Sequence, residues 1–204
     1  MQNIKNIGIF GGTFNPVDNA HISIVNSFVE EIGIDLCYII PANISPFKTE
    51  LVSKVEISNE HRVNLLNLAF ANKSNFIIDT YEIDKGGISY SFETTRYIMS
   101  KHKSSKLYLL IGSDQAMSLR NWKEWEWLFN NTQVCIAMRD GFSTKDELIK
   151  SLKFESKLPI ILNSPLIKLS ATEIRTKLKN NESIKEFVPP DVADYIKRNK
   201  LFQS

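Results

Sequence analysis

The chain has 204 residues, of which 43% are apolar and 24% charged, enough apolar material for one packed core and too much for a disordered chain. A net charge of +2 is too mild to argue for nucleic acid, and no apolar run approaches the ~18 residues of a membrane span. Cys37 and Cys135 lie in separate apolar runs and read as buried reduced thiols rather than a metal or catalytic pair, which fits a cytoplasmic protein. The start, Met1-Gln2-Asn3-Ile4-Lys5, has no signal-peptide layout.

In chain order, Ile7 to Phe10 reads as a buried strand. His21 to Ile32 follows as a helix, because Ile22, Val25, Val29 and Ile32 recur on one helical face; Gly33 stops it. Leu36 to Ile40 is a second apolar strand, closed by Pro41. Two such strands around a helix make a βαβ unit and a parallel sheet. Ala42 to Ile57 is a long polar connection holding Pro46, Phe47 and Lys48, of a length usual for functional loops. Ser58 can cap the next helix, with Val63, Leu66 and Phe70 on its buried side.

Phe76 to Asp79 is a short strand and Lys85-Gly86-Gly87 a turn. Ser91 can cap a helix to about His102, and Leu107 to Ile111 is again a strand. Gly112-Ser113-Asp114 leads into a helical tract with Trp122, Trp125 and Trp127. Val134 to Met138 is a strand ending in Arg139-Asp140-Gly141, Lys145 to Leu152 a helix, and Ile160 to Leu162 strand-like. Ser170 starts a helix, and Val192 to Arg198 forms the last one. The expected fold is α/β, a doubly wound parallel sheet with sites at the carboxyl ends of its strands. Residues 1–204 form one domain, of which about 168–204 is a helical appendage.

Gly11-Gly12-Thr13-Phe14 stands between the first strand and the first helix. Glycines there let the backbone approach an anion, and a helix start favours negative charge. A lone glycine pair also serves packing alone. Ser170, Thr172 and Arg175 crowd another helix start, where Ser170 and Glu173 equally fit a capping box. Two readings stand for Trp122: stacking on a planar ring, or packing with Trp125 and Phe129 into the core, where at least one tryptophan is expected. Asp114 accepts from ribose hydroxyls or caps the helix behind it.

Together these stretches resemble a known group. Residues 11–17, Gly-Gly-Thr-Phe-Asn-Pro-Val, with His21 four residues on, resemble the nucleotidyltransferase signature Gly-Gly-(Thr/Ser)-Phe-(Asp/Asn)-Pro-x-His-x-Gly-His. Ser170-Ala171-Thr172-Glu173-Ile174-Arg175 resembles its second signature, Ser-x-Thr-x-x-Arg. Pro41 to Lys48, Ser89 to Thr94, Ile111 to Asp114 with Leu119 and Trp122, and Phe187 to Leu201 are similar to segments of bacterial nicotinate mononucleotide adenylyltransferases, in the same order.

The resemblance implies adenylyl transfer from ATP to nicotinate mononucleotide in NAD synthesis, with Mg²⁺ and without a covalent enzyme intermediate. It implies Gly11, Gly12, Thr13, Phe14, His21, Gly112, Asp114, Ser170, Thr172 and Arg175 at ATP. Asn15, Lys48, Ser89, Tyr90, Thr94, Asp114, Trp122 and Arg139 would hold the mononucleotide. His21, Lys48 and Arg175 would serve the reacting phosphates, and Mg²⁺ would ride on those phosphates with no dedicated protein cage. A homo-oligomer is compatible with the sequence.

The chain departs from the pattern at Asp18, which replaces the first signature histidine, and at Ala20, Ala171 and Pro46-Phe47. An ionised Asp only accepts hydrogen bonds. Facing a phosphate at ~4 Å and an effective dielectric of ~20, it meets repulsion of roughly 4 kcal/mol. Loss of one donor costs ~10²–10³ in rate. Three explanations stand: a nearly inactive copy of the enzyme, a variant in which Asp18 binds Mg²⁺, or a homologue that binds nucleotide without turnover. A preference for nicotinamide mononucleotide is a further alternative. If the deficit is real, Asp18→His raises kcat/KM at least tenfold.

Overall fold

The computed structural model describes residues 4–46, 57–138, 144–152, 157–164 and 169–203. Strand β1 (Asn6–Gly12) leads into helix α1 (Asn19–Ile32) and strand β2 (Leu36–Pro41). Helix α2 (Asn59–Phe70), strand β3 (Phe76–Ile78) and helices α3 (Tyr81–Lys85) and α4 (Ser91–Lys101) follow. Strand β4 (Lys106–Gly112) then runs into a short helix α5 (Ser113–Ala116), a 3-10 turn (Leu119–Asn121) and helix α6 (Trp125–Asn131). Strand β5 (Gln133–Ala137), helix α7 (Lys145–Leu152), strand β6 (Ile160–Ile161), and helices α8 (Ala171–Lys179) and α9 (Pro190–Arg198) complete the described chain.

The six strands form one parallel sheet in the order β3-β2-β1-β4-β5-β6. This is the doubly wound order, whose sense of winding reverses between β1 and β4. Strand alternation sends side chains to opposite faces, and both faces are covered. Ile7, Ile9, Leu109 and Val134 pack under α4, α6 and α7, with Ile98, Leu128 and Leu148 facing them. Phe10, Ile39 and Leu110 pack on the other side against Val25 and Phe28 of α1. Ile174 and Leu178 of α8 and Val192 and Ile196 of α9 join that same cluster. The C-terminal helices therefore share the core next to α1. Tyr195 accepts from the Asn64 amide at 2.9 Å and meets His61 Nδ1 at 3.0 Å, tying α9 to α2.

The thiols are buried as expected. Burial pushes the Cys37 thiol up and that of Cys135 up to about 12, so neither is a nucleophile at neutral pH.

Several local expectations change. Strand β1 runs through both glycines, and α1 starts at Asn19 because Asp18 caps it. Gly33 ends α1 at φ 70, ψ 50. Ser58 caps α2 by accepting from the His61 N–H at 3.3 Å, but the buried face of α2 is Arg62, Leu65, Leu66 and Phe70, with Val63 only half-buried. The cap of α4 is Tyr90, not Ser91, and it makes no side-chain cap bond. The tryptophan tract is not one helix: Trp122 is extended (φ −75, ψ 144) and Glu124 is left-handed (φ 55), which separates the 3-10 turn from α6. No tryptophan is fully buried; all three lie half-buried against the edge of the core, where Leu128 and Phe129 take the interior positions.

Candidate active site

The carboxyl ends of β1 and β4 open onto a cleft with two lobes, which share Gly11, Gly12, Thr13, Ser45 and Gln115. One has a volume of ≈ 590 Å³ and is lined by the start of α1, the end of β4 and the start of α8. The other, ≈ 360 Å³, lies between β1, the start of α4 and the turn at Trp122. Both volumes suit a small molecule.

The turn that floors both lobes follows from its residues. A Cβ at Gly12 would sit 2.9 Å from the Phe14 ring, so glycine is what lets Phe14 fold beneath the strand end. Phe14 itself is 2% exposed and adopts φ 47, an uncommon conformation for a large side chain. At Gly11 a Cβ would meet nothing nearer than the Ile40 carbonyl at 3.9 Å, so protein packing leaves that position open toward the cleft.

Arg62 holds the turn from behind. Its guanidinium is 0% exposed and donates to the Thr13 carbonyl at 2.7 Å and to Asn59 Oδ1 at 2.5 Å. The Asn59 amide donates to Asn43 Oδ1 at 3.0 Å, and the Asn43 N–H donates to Ser89 Oγ at 2.9 Å. A buried polar chain thus runs from the floor of the cleft to the wall of the smaller lobe. Burial pushes the Arg62 guanidinium below its ordinary range, and its Nε has no hydrogen-bond partner among the described residues.

In the larger lobe, His21 stands in the first turn of α1, its ring packed edge-on against Phe14 at 5.2 Å between centroids. Arg175 reaches from α8 to donate to the Asn15 carbonyl at 2.9 Å, and Thr172 Oγ1 accepts from the same guanidinium at 3.1 Å. Ser170 caps α8, accepting from the Glu173 N–H at 3.1 Å. Asp114 lies in the first turn of α5, and it lines the lobe with Gly112. Histidine, guanidinium and two helix starts therefore converge on one cavity, an arrangement suited to a polyanion.

Asp18 corrects the sequence reading. The residue lines the larger lobe, but its side chain is 1% exposed and is tied to His21. Oδ1 accepts from the His21 N–H at 2.8 Å and lies 2.6 Å from His21 Nδ1. The repulsion expected of a carboxylate aimed at phosphate does not follow from this geometry. Nor is Asp18 part of a metal cage: among the described residues there is no group of three or more His, Cys, Asp or Glu able to hold an ion.

The smaller lobe is lined by Ser89, Tyr90 and Trp122, as the resemblance implies, and by Glu82 and Lys123, which sequence reasoning missed. The α4 N-terminus lines this lobe through Tyr90 and Ser91 and has no side-chain cap, while the Glu93 N–H donates to the Tyr90 carbonyl at 3.0 Å. Lys123 lies over the Tyr90 ring at 4.5 Å. Glu82 is 6% exposed, and burial raises its carboxyl above the usual range, partly offset by the hydroxyls of Thr94 and Ser89.

Other expected residues are placed differently. Thr94 lies behind the wall, its hydroxyl donating to Glu82. Thr172 is exposed and buttresses Arg175 rather than lining the cleft. Asn15, assigned to the mononucleotide, lines the larger lobe instead, and Asp114, assigned to both substrates, lines that lobe as well. Lys48 and Arg139 lie outside the described residues. Nothing in the periodicity pointed to Glu82 or Arg62. Arg62 occupies a helix face that the apolar pattern assigned to Val63, and Glu82 sits in a five-residue helix.

Comparison with known proteins agrees with this geometry. The cytidylyltransferase-like family matches residues 9–177. A probable nicotinate-nucleotide adenylyltransferase of Neisseria meningitidis is 35% identical over 98% of this chain and 100% of its own length. One of Clostridium beijerinckii is 31% identical with the same coverage. The solved Plasmodium falciparum nicotinic acid mononucleotide adenylyltransferase complexed with NaAD shares the fold, with a TM-score of 0.77, 22% identity and 97% of each chain covered. The chain belongs to the cytidylyltransferase-like proteins and, within them, to the nicotinate-nucleotide adenylyltransferase family.

Proposed function

We propose that the protein transfers the adenylyl group of ATP to nicotinate mononucleotide, giving nicotinate adenine dinucleotide and pyrophosphate. The observation that carries this reading is the pair of lobes joined over Gly11, Gly12 and Thr13. One offers cationic and helix-start groups to a triphosphate, the other a hydroxyl, aromatic and helix-start wall to a pyridine ring. A phosphate oxygen of the mononucleotide attacks the α-phosphorus of ATP. The bond from that phosphorus to the pyrophosphate oxygen breaks, and pyrophosphate leaves with the electron pair. Such a displacement needs alignment and charge stabilisation more than covalent help.

In this reading His21 stabilises the α-phosphate, and Arg175 and Ser170 hold the β/γ end. Gly11, Gly12 and Thr13 admit the phosphates close to the backbone. Asp114 accepts from the ATP ribose. Trp122 and Tyr90 flank the nicotinate ring, and the α4 start receives its carboxylate. Lys48 and Arg139 carry the roles the family resemblance implies. Residues 169–203 serve as a helical subdomain forming one wall of the larger lobe.

Bound to the ATP phosphates, Mg²⁺ would neutralise part of their charge. The donor set suits that: Asp114 and Glu173 line the lobe singly, and the Asp18 carboxylate is engaged by His21. A cytoplasmic setting is supported by the two buried thiols. The Asp18 carboxylate's bonds to His21 support an active enzyme over an inactive homologue.

The test is incubation with Mg²⁺-ATP and nicotinate mononucleotide, following pyrophosphate and dinucleotide together. Equal amounts of both, dependent on both substrates, are expected. ATP binding without either product would refute the reading.

A further inference from the structure

We propose that Asp18 is a positioning residue for His21, making the two side chains a dyad that presents a cation to the reacting phosphates. The proposal deepens the functional reading above and rests on it for its kinetic arm. One carboxylate oxygen meets both the His21 N–H, at 2.8 Å, and Nδ1, at 2.6 Å. The first bond fixes where α1 begins, and so where the His21 backbone stands. The second fixes the ring. Phe14 at 5.2 Å and Phe10 at 6.2 Å between centroids close two further sides.

The hydrogen-bond inventory then decides the protonation pattern. A carboxylate only accepts, so the proton shared with Nδ1 belongs to the imidazole. Nε2 is left for the cleft, and it has no hydrogen-bond partner among the described residues. In a neutral ring with Nδ1 protonated, Nε2 can only accept, and so can a phosphate oxygen. His21 therefore serves a phosphate as the imidazolium. The other charged groups lining the lobe are Asp114 of α5 and Glu173 and Arg175 of α8; β1 and the Thr13–Val17 turn bring none.

This reverses the meaning of the substitution. A histidine at 18 could also touch phosphate but could not hold His21 in a charged, fixed orientation. Three variants and one spectrum test it. Asp18→Asn keeps an oxygen able to cap α1 and accept from Nδ1, and removes only the charge. It should fold with an unchanged melting profile. Its kcat/KM for ATP should fall about tenfold, the low end for partners that orient a functional histidine, with the loss in kcat rather than in KM. Asp18→Ala should lose more, and Asp18→His should give no gain.

Nitrogen NMR of the parent protein should show His21 Nδ1 protonated whether the ring is neutral or charged. An Asp18→Asn variant with the parent's kcat, a tenfold gain in Asp18→His, or an unprotonated Nδ1 would each overturn the dyad. If the parent releases no pyrophosphate with nicotinate mononucleotide, the functional reading fails, and the spectrum decides the dyad alone.

Discussion

The two lobes share a floor and are built on different principles. The larger one draws its groups from segments far apart in the chain, His21 near one end and Ser170 to Arg175 near the other, and each group sits at a helix start. The smaller one is drawn from the middle of the chain, with Ala42 and Pro46, Glu82 to Ser91 and Asn121 to Lys123 around the end of β4, and it offers aromatic faces and a helix start without a side-chain cap. In the proposed reaction the first would stabilise charge that changes, and the second would recognise a ring that does not react. Substitutions in the first should therefore act on the chemical step, and those in the second on binding of one substrate.

His21→Ala should have the largest effect. Removing the donor nearest the reacting phosphorus is expected to lower kcat by ~10²–10³, with little change in the melting profile. A loss confined to KM would show that the larger lobe merely binds. Arg62→Leu comes next and bears on the shared floor. It removes the buried guanidinium that donates to the Thr13 carbonyl and to Asn59 Oδ1, and should cost about 1–3 kcal/mol in denaturant unfolding. Because the Asn59–Asn43–Ser89 chain starts there, it should weaken binding in both lobes.

Trp122→Ala should raise KM for the mononucleotide up to about tenfold, the scale of one aromatic contact, and leave KM for ATP unchanged. An equal effect on both substrates would break the division of labour.

Glu82→Gln should have the smallest effect, and it is read in stability against pH. Burial raises the Glu82 carboxyl in the folded protein. Below its unfolded range the group is neutral in both states and exerts no penalty. As pH rises through that range and on to the raised folded value, the unfolded chain ionises more readily and stability is lost. The amide variant should match the parent in acid and exceed it slightly at neutral pH. A flat parent profile that the variant leaves unchanged would contradict this.

Much of the fold was legible because its signals are periodic. Ile22, Val25, Val29 and Ile32 marked α1, and the apolar runs at Ile7, Leu36, Leu107 and Val134 marked the strands that bury both faces. The larger lobe was legible because its residues stand at strand-to-helix junctions, where glycine, serine and histidine are conspicuous. Less visible were features set by tertiary contact. Arg62 is a polar residue on a buried face, which no apolar period reveals. Tyr90, not Ser91, is the N-cap of α4, because the backbone stays extended at Tyr90. Asp18 was legible as a departure and misread in its direction. Only the helix start it caps shows that its carboxylate points at His21.

The most direct measurement is the ratio of kcat/KM for nicotinate mononucleotide to that for nicotinamide mononucleotide at saturating Mg²⁺-ATP. The α4 start and Lys123 face the ring lobe, while burial favours the neutral form of Glu82. The account predicts that the carboxylate substrate wins by at least about tenfold, the worth of one charge-assisted hydrogen bond. Equal use of both, or preference for the amide, would contradict it.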